Sequence, residues 1–126
     1  MFKPVIALAA FALPFSLAAQ DAAPPADLPP LTMEQQTSFR CGVAFGLLAG
    51  AQEAGLEEAL AYPAIEPRGQ EFFVRVTARI MEDERFTREV LKSLVDAEVD
   101  RFGFDSFDNV DAVLPACLTL LDASGV

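Results

Sequence analysis

Cys41 and Cys117 are the only cysteines in the chain, and a thiol is the most reactive group that this composition offers. There is no histidine, so no imidazole can serve as general base, proton shuttle or zinc ligand. A redox-active or nucleophilic cysteine needs a C-x-x-C partner or a nearby base, and neither accompanies Cys41 or Cys117 in the sequence. Two cysteines near opposite ends of a chain that opens like an export signal read instead as a disulfide.

Carboxylates are the next candidates. Aspartate and glutamate number 19, and the densest run is Asp96, Glu98, Asp100, Asp105, Asp108 and Asp111. Calcium coordination requires oxygens at alternate loop positions around a glycine turn. This run has no D-x-D-x-D-G register and carries Phe107 in its midst, so it reads as a solvated acidic face. A Glu/Asp pair could hydrolyse a glycosidic bond, which keeps a small envelope enzyme as the alternative reading. No carboxylate lies within an apolar stretch, however, and Glu71 beside Phe72 and Phe73 comes nearest. Serine and threonine occur in no G-x-S-x-G frame. Gly42, Gly46 and Gly50 have helical rather than phosphate-loop spacing. The sequence therefore nominates no catalytic, cofactor-binding or metal-ligating residue.

Charge narrows the partners. Lysine and arginine number 9 against the 19 acids, a net charge of −10. Nucleic acids and anionic membrane surfaces are disfavoured, because both are held by basic groups. A basic protein or peptide would be attracted by electrostatic steering. Phe102, Phe104 and Phe107 cluster around one loop and form a candidate partner patch. Arg68, Arg75, Arg79, Arg85 and Arg88 make a basic face that Glu71, Glu82 and Glu84 offset, which reads as a salt-bridged surface.

These residues must be positioned by helices. Met1-Phe2-Lys3, an apolar run from Pro4 to Leu13 and small residues at Ser16 and Ala18 predict a signal peptide over 1–19, cut after Ala18 or Ala19. The run is too short to span a bilayer, so no transmembrane anchor is expected after cleavage. Residues 20–31, rich in proline and alanine, read as a flexible tether. The domain proper is 32–126. Thr32 and Gln35 form a capping-box pattern that opens a helix running to about Glu53 and stopping at Gly55. From Cys41 to Ala51 that helix is apolar or small all round, which predicts a central, enclosed helix. Its glycines Gly42, Gly46 and Gly50 share one stripe and predict close helix packing; the sharper reading is a slot for a ligand or a partner helix. Leu56 to Tyr62 can form a short helical turn. Further helices are predicted from Pro67 to about Glu82, from Arg88 to about Phe102 with Thr87 as cap, and from about Asn109 to Asp122. A kink or restart is expected at Pro115. Nothing shows the two-residue alternation of strands.

The export signal, the proline-rich tether, Arg40-Cys41-Gly42 entering an apolar helix and Pro115-Ala116-Cys117-Leu118 near the end together resemble small exported bacterial two-cysteine helical proteins. Arg68-Gly69-Gln70-Glu71-Phe72-Phe73-Val74-Arg75 is the run such relatives would be expected to share. The layout is also similar to that of the HdeA-type periplasmic acid chaperones and the Rap/Tai-type immunity proteins. That resemblance implies an exported helical protein with a disulfide and assigns no functional residue. The expectation is thus an all-α domain, a compact bundle of about four helices stapled by Cys41–Cys117. It would be periplasmic or secreted and act as a non-enzymatic binding domain of chaperone, inhibitor or immunity type. A carrier of small apolar ligands, with the glycine stripe opening into a cavity, is the further alternative.

Overall fold

A computed structural model describes residues 28–126. The signal peptide expected over 1–19 and most of the expected tether lie outside the described residues. The helices are α1 (Met33–Glu53), α2 (Glu57–Leu60), α3 (Arg68–Met81), α4 (Arg88–Phe102) and α5 (Asp108–Ala123). No strand occurs among the described residues, and no helix among them is long and apolar enough to cross a membrane.

Local chemistry sets most of the boundaries. Thr32 Oγ1 accepts the Gln35 amide at 3.1 Å and Gln35 Oε1 accepts the Thr32 amide at 2.9 Å, so the first turn of α1 is capped reciprocally. At the other end the Gly55 amide donates to the Gln52 carbonyl and the Leu56 amide to the Ala51 carbonyl. Gly55 has φ of 77°, a left-handed conformation that glycine adopts without steric cost. Thr87 Oγ1 accepts the Val90 amide and opens α4. The short turn at Leu56 to Tyr62 is α2, a single helical turn. α5 differs from expectation: it runs from Asp108 through Pro115 to Ala123 as one element. Pro115 cannot donate to the Asp111 carbonyl one turn back, but both residues are exposed, so water can take that acceptor.

α1 is the hub. It packs against each of the other four helices, whereas α4 touches chiefly α1. Phe39, Val43, Ala44, Phe45 and Leu48 supply its buried side. Phe45 stacks edge-on against Phe72 of α3, ring centres 5.4 Å apart, an arrangement that aligns ring edge with ring face. Ile80, Phe86, Phe102, Val110, Leu114 and Leu121 bring α3, α4 and α5 into the same core. Each such side chain contributes about 1.5–3 kcal/mol by leaving water. Enclosure of α1 is incomplete, and this corrects the expectation of a helix surrounded by protein: Gly46 and Gly50 are exposed.

Four ties close the gaps between elements. Cys41 on α1 is bonded to Cys117 on α5, with their Cα atoms 5.2 Å apart. Gln52 uses its side-chain amide to hold the connector: its Nε2 donates among the carbonyls of Ala59, Tyr62 and Pro63, and its Oε1 accepts the Ile65 amide. The Tyr62 hydroxyl then donates to Asp111 Oδ1 on α5. Asn109 Nδ2 donates to the Phe102 carbonyl at 2.8 Å and fastens the end of α4 to the start of α5.

Two measurements test these ties. Cys41 and Cys117 are 76 positions apart, and opening a loop of that size is expected to cost about 4–5 kcal/mol through the entropy of the unfolded chain. Urea unfolding with and without reductant should show a loss of that order; superimposable curves would mean that the bridge constrains nothing. Tyr62 is the only tyrosine and there is no tryptophan, so ultraviolet absorbance reports its ionisation alone. Its hydrogen bond to Asp111, then burial, then the Asp111 charge raise its pKa above the usual tyrosine range. This interaction therefore stabilises the fold fully below the unfolded value of about 10 and is lost as pH rises through the folded one. Asp111→Ala should bring the midpoint back down, and an unchanged midpoint would refute the contact.

Candidate functional site: an apolar cleft on the open flank of the first helix

The unenclosed flank of α1 forms the floor of a cleft of about 270 Å³. Gly42, Val43, Gly46 and Leu47 belong to α1, Gly69, Gln70 and Phe73 to α3, and Val95 and Val99 to α4, with Glu66 at the edge. Glu66 and Gln70 are its only polar side chains, and both are exposed.

Glycines decide the shape. A Cβ on Gly42 would stand 2.8 Å from Phe73 Cδ2, and one on Gly69 would stand 2.8 Å from Ile65 Cγ1 and 3.0 Å from Phe45 Cβ. At those two positions α1 and α3 approach so closely that any larger residue forces a shift. The predicted close packing is therefore found at Gly42, and at Gly69, which the stripe argument did not include. It is not found at Gly46 or Gly50, where nothing lies within 4 Å of the point a Cβ would occupy. The physical reason is the course of α4. It leans its buried Glu98 and Phe102 onto the first half of α1, while Val95 and Val99 overhang the second half without filling it.

The charges around the cleft are unevenly matched. Arg68 turns away to Asp122, at 3.1 Å, and to the Val126 carbonyl. Arg75 pairs with Glu71 and Lys92 with Asp96, each at 2.5 Å. Among the described residues Glu66 makes no ion pair. Farther off, Arg85 holds the half-buried Asp83 carboxyl down at about 2 through side-chain and then backbone hydrogen bonds. Of the basic face read from the sequence, Arg75 pairs with Glu71 as expected, Arg68 and Arg85 pair with Asp122 and Asp83 instead, and Arg79 and Arg88 make no ion pair among the described residues.

Glu98 is the residue that sequence reasoning placed wrongly. It lies within the acidic run, yet it is buried, and its carboxylate accepts Arg40 Nε at 2.8 Å and Arg101 Nη1 at 3.3 Å. Arg40 also lies 5.8 Å from the centre of the Phe102 ring, within cation–π range. The rest of the run brings no metal cluster together among the described residues. The candidate patch of Phe102, Phe104 and Phe107 is likewise divided. Phe102 is 3% exposed and belongs to the core, Phe107 is half-buried against it, and Phe104 alone stands out, 80% exposed. Gly103, with φ of 77°, turns the chain between Phe102 and Phe104 and sends them to different sides.

The tether's last residues are also placed. Leu28, Pro29 and Pro30 line a groove with Gln36, Phe39 and Leu94, and Leu31 packs on the core. Residues 28–31 therefore lie beside α1 and α4, with Leu28, Pro29 and Leu31 half-buried and Pro30 exposed.

Compared with known proteins, the chain matches no family profile, no curated protein and no solved structure.

The glycine geometry has opposite consequences along one stripe. Gly46→Ala and Gly50→Ala should each stabilise the protein by up to about 1 kcal/mol, because alanine favours helix where there is room. Gly42→Ala should destabilise it by about 1–3 kcal/mol through overpacking against Phe73. Thermal unfolding of the three variants checks the signs, and a stabilised Gly42→Ala would contradict the close approach.

Proposed function

We propose that the protein is an exported, non-enzymatic binding domain, periplasmic or secreted, that engages a protein or peptide partner through the apolar cleft beside Gly46. A chaperone, inhibitor or immunity role would each use such a site. The observation that carries the reading is the cleft itself: a concave, almost wholly apolar surface between α1, α3 and α4. Uncovered apolar concavities of this kind mark binding sites on small domains. The single carboxylate at its edge, Glu66, supports binding over glycoside hydrolysis, which needs two carboxyl groups across one cleft. Its volume, about 270 Å³, lies just below the roughly 300–1,000 Å³ of small-molecule sites. That size favours one or two inserted side chains of a partner over a whole carried ligand. The Cys41–Cys117 bridge supports an oxidising compartment, where such bonds persist.

A neutral environment-sensitive dye, N-phenyl-1-naphthylamine, tests whether the cleft takes apolar groups. Its fluorescence should rise on titration with the oxidised protein and stay flat with Gly46→Leu, whose Cβ has room and whose larger side chain takes up space in the cleft. No rise with the wild-type protein, or an equal rise with the variant, would overturn the assignment of the site.

A further inference from the structure

We infer that the occupant of the cleft is a cationic amphipathic helix of the partner, with an apolar side chain seated over Gly46 and a lysine or arginine set against Glu66. The inference rests on the binding role proposed above and adds the conformation and charge of what is bound. Conformation follows from the walls. The floor from Gly42 to Leu47 and the overhang from Val95 to Val99 are interior turns of α1 and α4, whose amides and carbonyls are already bonded along their own helices. A segment laid across the mouth of the cleft finds no backbone partner along these two walls. An extended strand pressed on them would leave the amides that face them unpaired, whereas a helix brings its own hydrogen bonds and presents only side chains. The missing side chain at Gly46, with nothing within 4 Å, lets that helix approach the backbone of α1 closely.

Charge follows from the rim. Glu66 is the one ionised group lining the cleft, and among the described residues it is unpaired. The nearby cations Arg68, Arg75 and Lys92 are each committed to another carboxylate. The chain as a whole carries 9 basic groups against 19 acidic ones, so its long-range field also draws in cations. An anionic or neutral helix would leave Glu66 uncompensated beside a newly dried surface.

Synthetic helical peptides with identical leucine faces and polar faces of lysine, glutamine or glutamate separate the parts of this inference. Each is titrated against the oxidised protein and tested for displacement of N-phenyl-1-naphthylamine. The leucine/lysine helix should bind and displace the dye. Gly46→Leu, confirmed as folded by circular dichroism, should weaken it at least about tenfold, the equivalent of one lost apolar anchor. Glu66→Gln should weaken it about two- to fivefold, the scale of an exposed ion pair, while Asp105→Asn, on the loop after α4, should leave it unchanged. The glutamine helix should bind more weakly and the glutamate helix least. Equal displacement by the glutamine and lysine helices, or equal losses for Glu66→Gln and Asp105→Asn, would refute the charge assignment and leave the cleft standing as a binding site. Dye binding without displacement by any helix would refute the helical occupant. Failure of the dye itself to bind would remove the underlying function along with the inference.

Discussion

Two neighbouring residues on one turn of α1 hold the last two helices in place. Cys41 reaches α5 through a covalent bond, and Arg40 reaches α4 through the buried carboxylate of Glu98. Both ties act on the first half of α1, and everything about the shape follows from that asymmetry. Where the ties are, Phe39, Val43 and Phe45 are covered and the core is dense. Little more than a turn farther along, no comparable tie draws α4 inward, and α1 lies open at Gly46 and Gly50. A helix apolar all round would normally be wrapped completely. Here the wrapping thins past the ties, and the cleft opens at Gly46 and Leu47.

The Glu98 carboxylate shows why such a tie works in one direction more than the other. Arg40 and Arg101 are each about half exposed, 49% and 54% of their side chains, while Glu98 retains 7%. Removing either arginine would leave water to solvate little of the buried acid, whereas the arginines can find solvent by themselves. The energetic burden of the triad therefore falls on the carboxylate, and the two guanidiniums are what make its burial tolerable. The same arrangement removes Glu98 from the outer acidic surface, so the exposed negative charge comes from the remaining acids, with Glu66 the one lining the cleft.

How much of this could be read in the chain depends on the range of the interaction. Helix ends at Thr32, Gly55, Thr87 and Gly103 are written in residues that act on their own backbone within a turn, and the structure places them as the spacing predicts. The disulfide was legible because two cysteines admit one pairing. Glu98 was not, since its principal partner stands 58 positions away and nothing local distinguishes it from Asp96 or Asp100. Gln52 was missed for the same reason: its acceptors lie in a connector whose path no periodicity describes. The glycine stripe was half legible. Spacing says that Gly42, Gly46 and Gly50 share a face, but only the crossing of α3 over Gly42 and the stand-off of α4 from Gly46 decide that one position is tight and the others bare. Phe102 and Phe104 differ by two positions and by nearly the full range of exposure, because Gly103 redirects the chain between them.

A cleft held open by covalent and ionic ties has a thermodynamic advantage over one formed on demand. In a small domain, burying the valines and glycines around Gly46 by collapsing α4 onto α1 would gain apolar contacts. The bridge at Cys41, the salt link at Arg40 and the fastening of Asn109 to the end of α4 resist that collapse, because α4 cannot slide along α1 without breaking a buried ion pair or dragging α5 with it. The walls are thus set by the fold itself, and the cost of ordering them falls on folding. One thiol and the arginine that meets the buried carboxylate stand on the same turn of α1, beside a surface that the hydrophobic effect alone would tend to close.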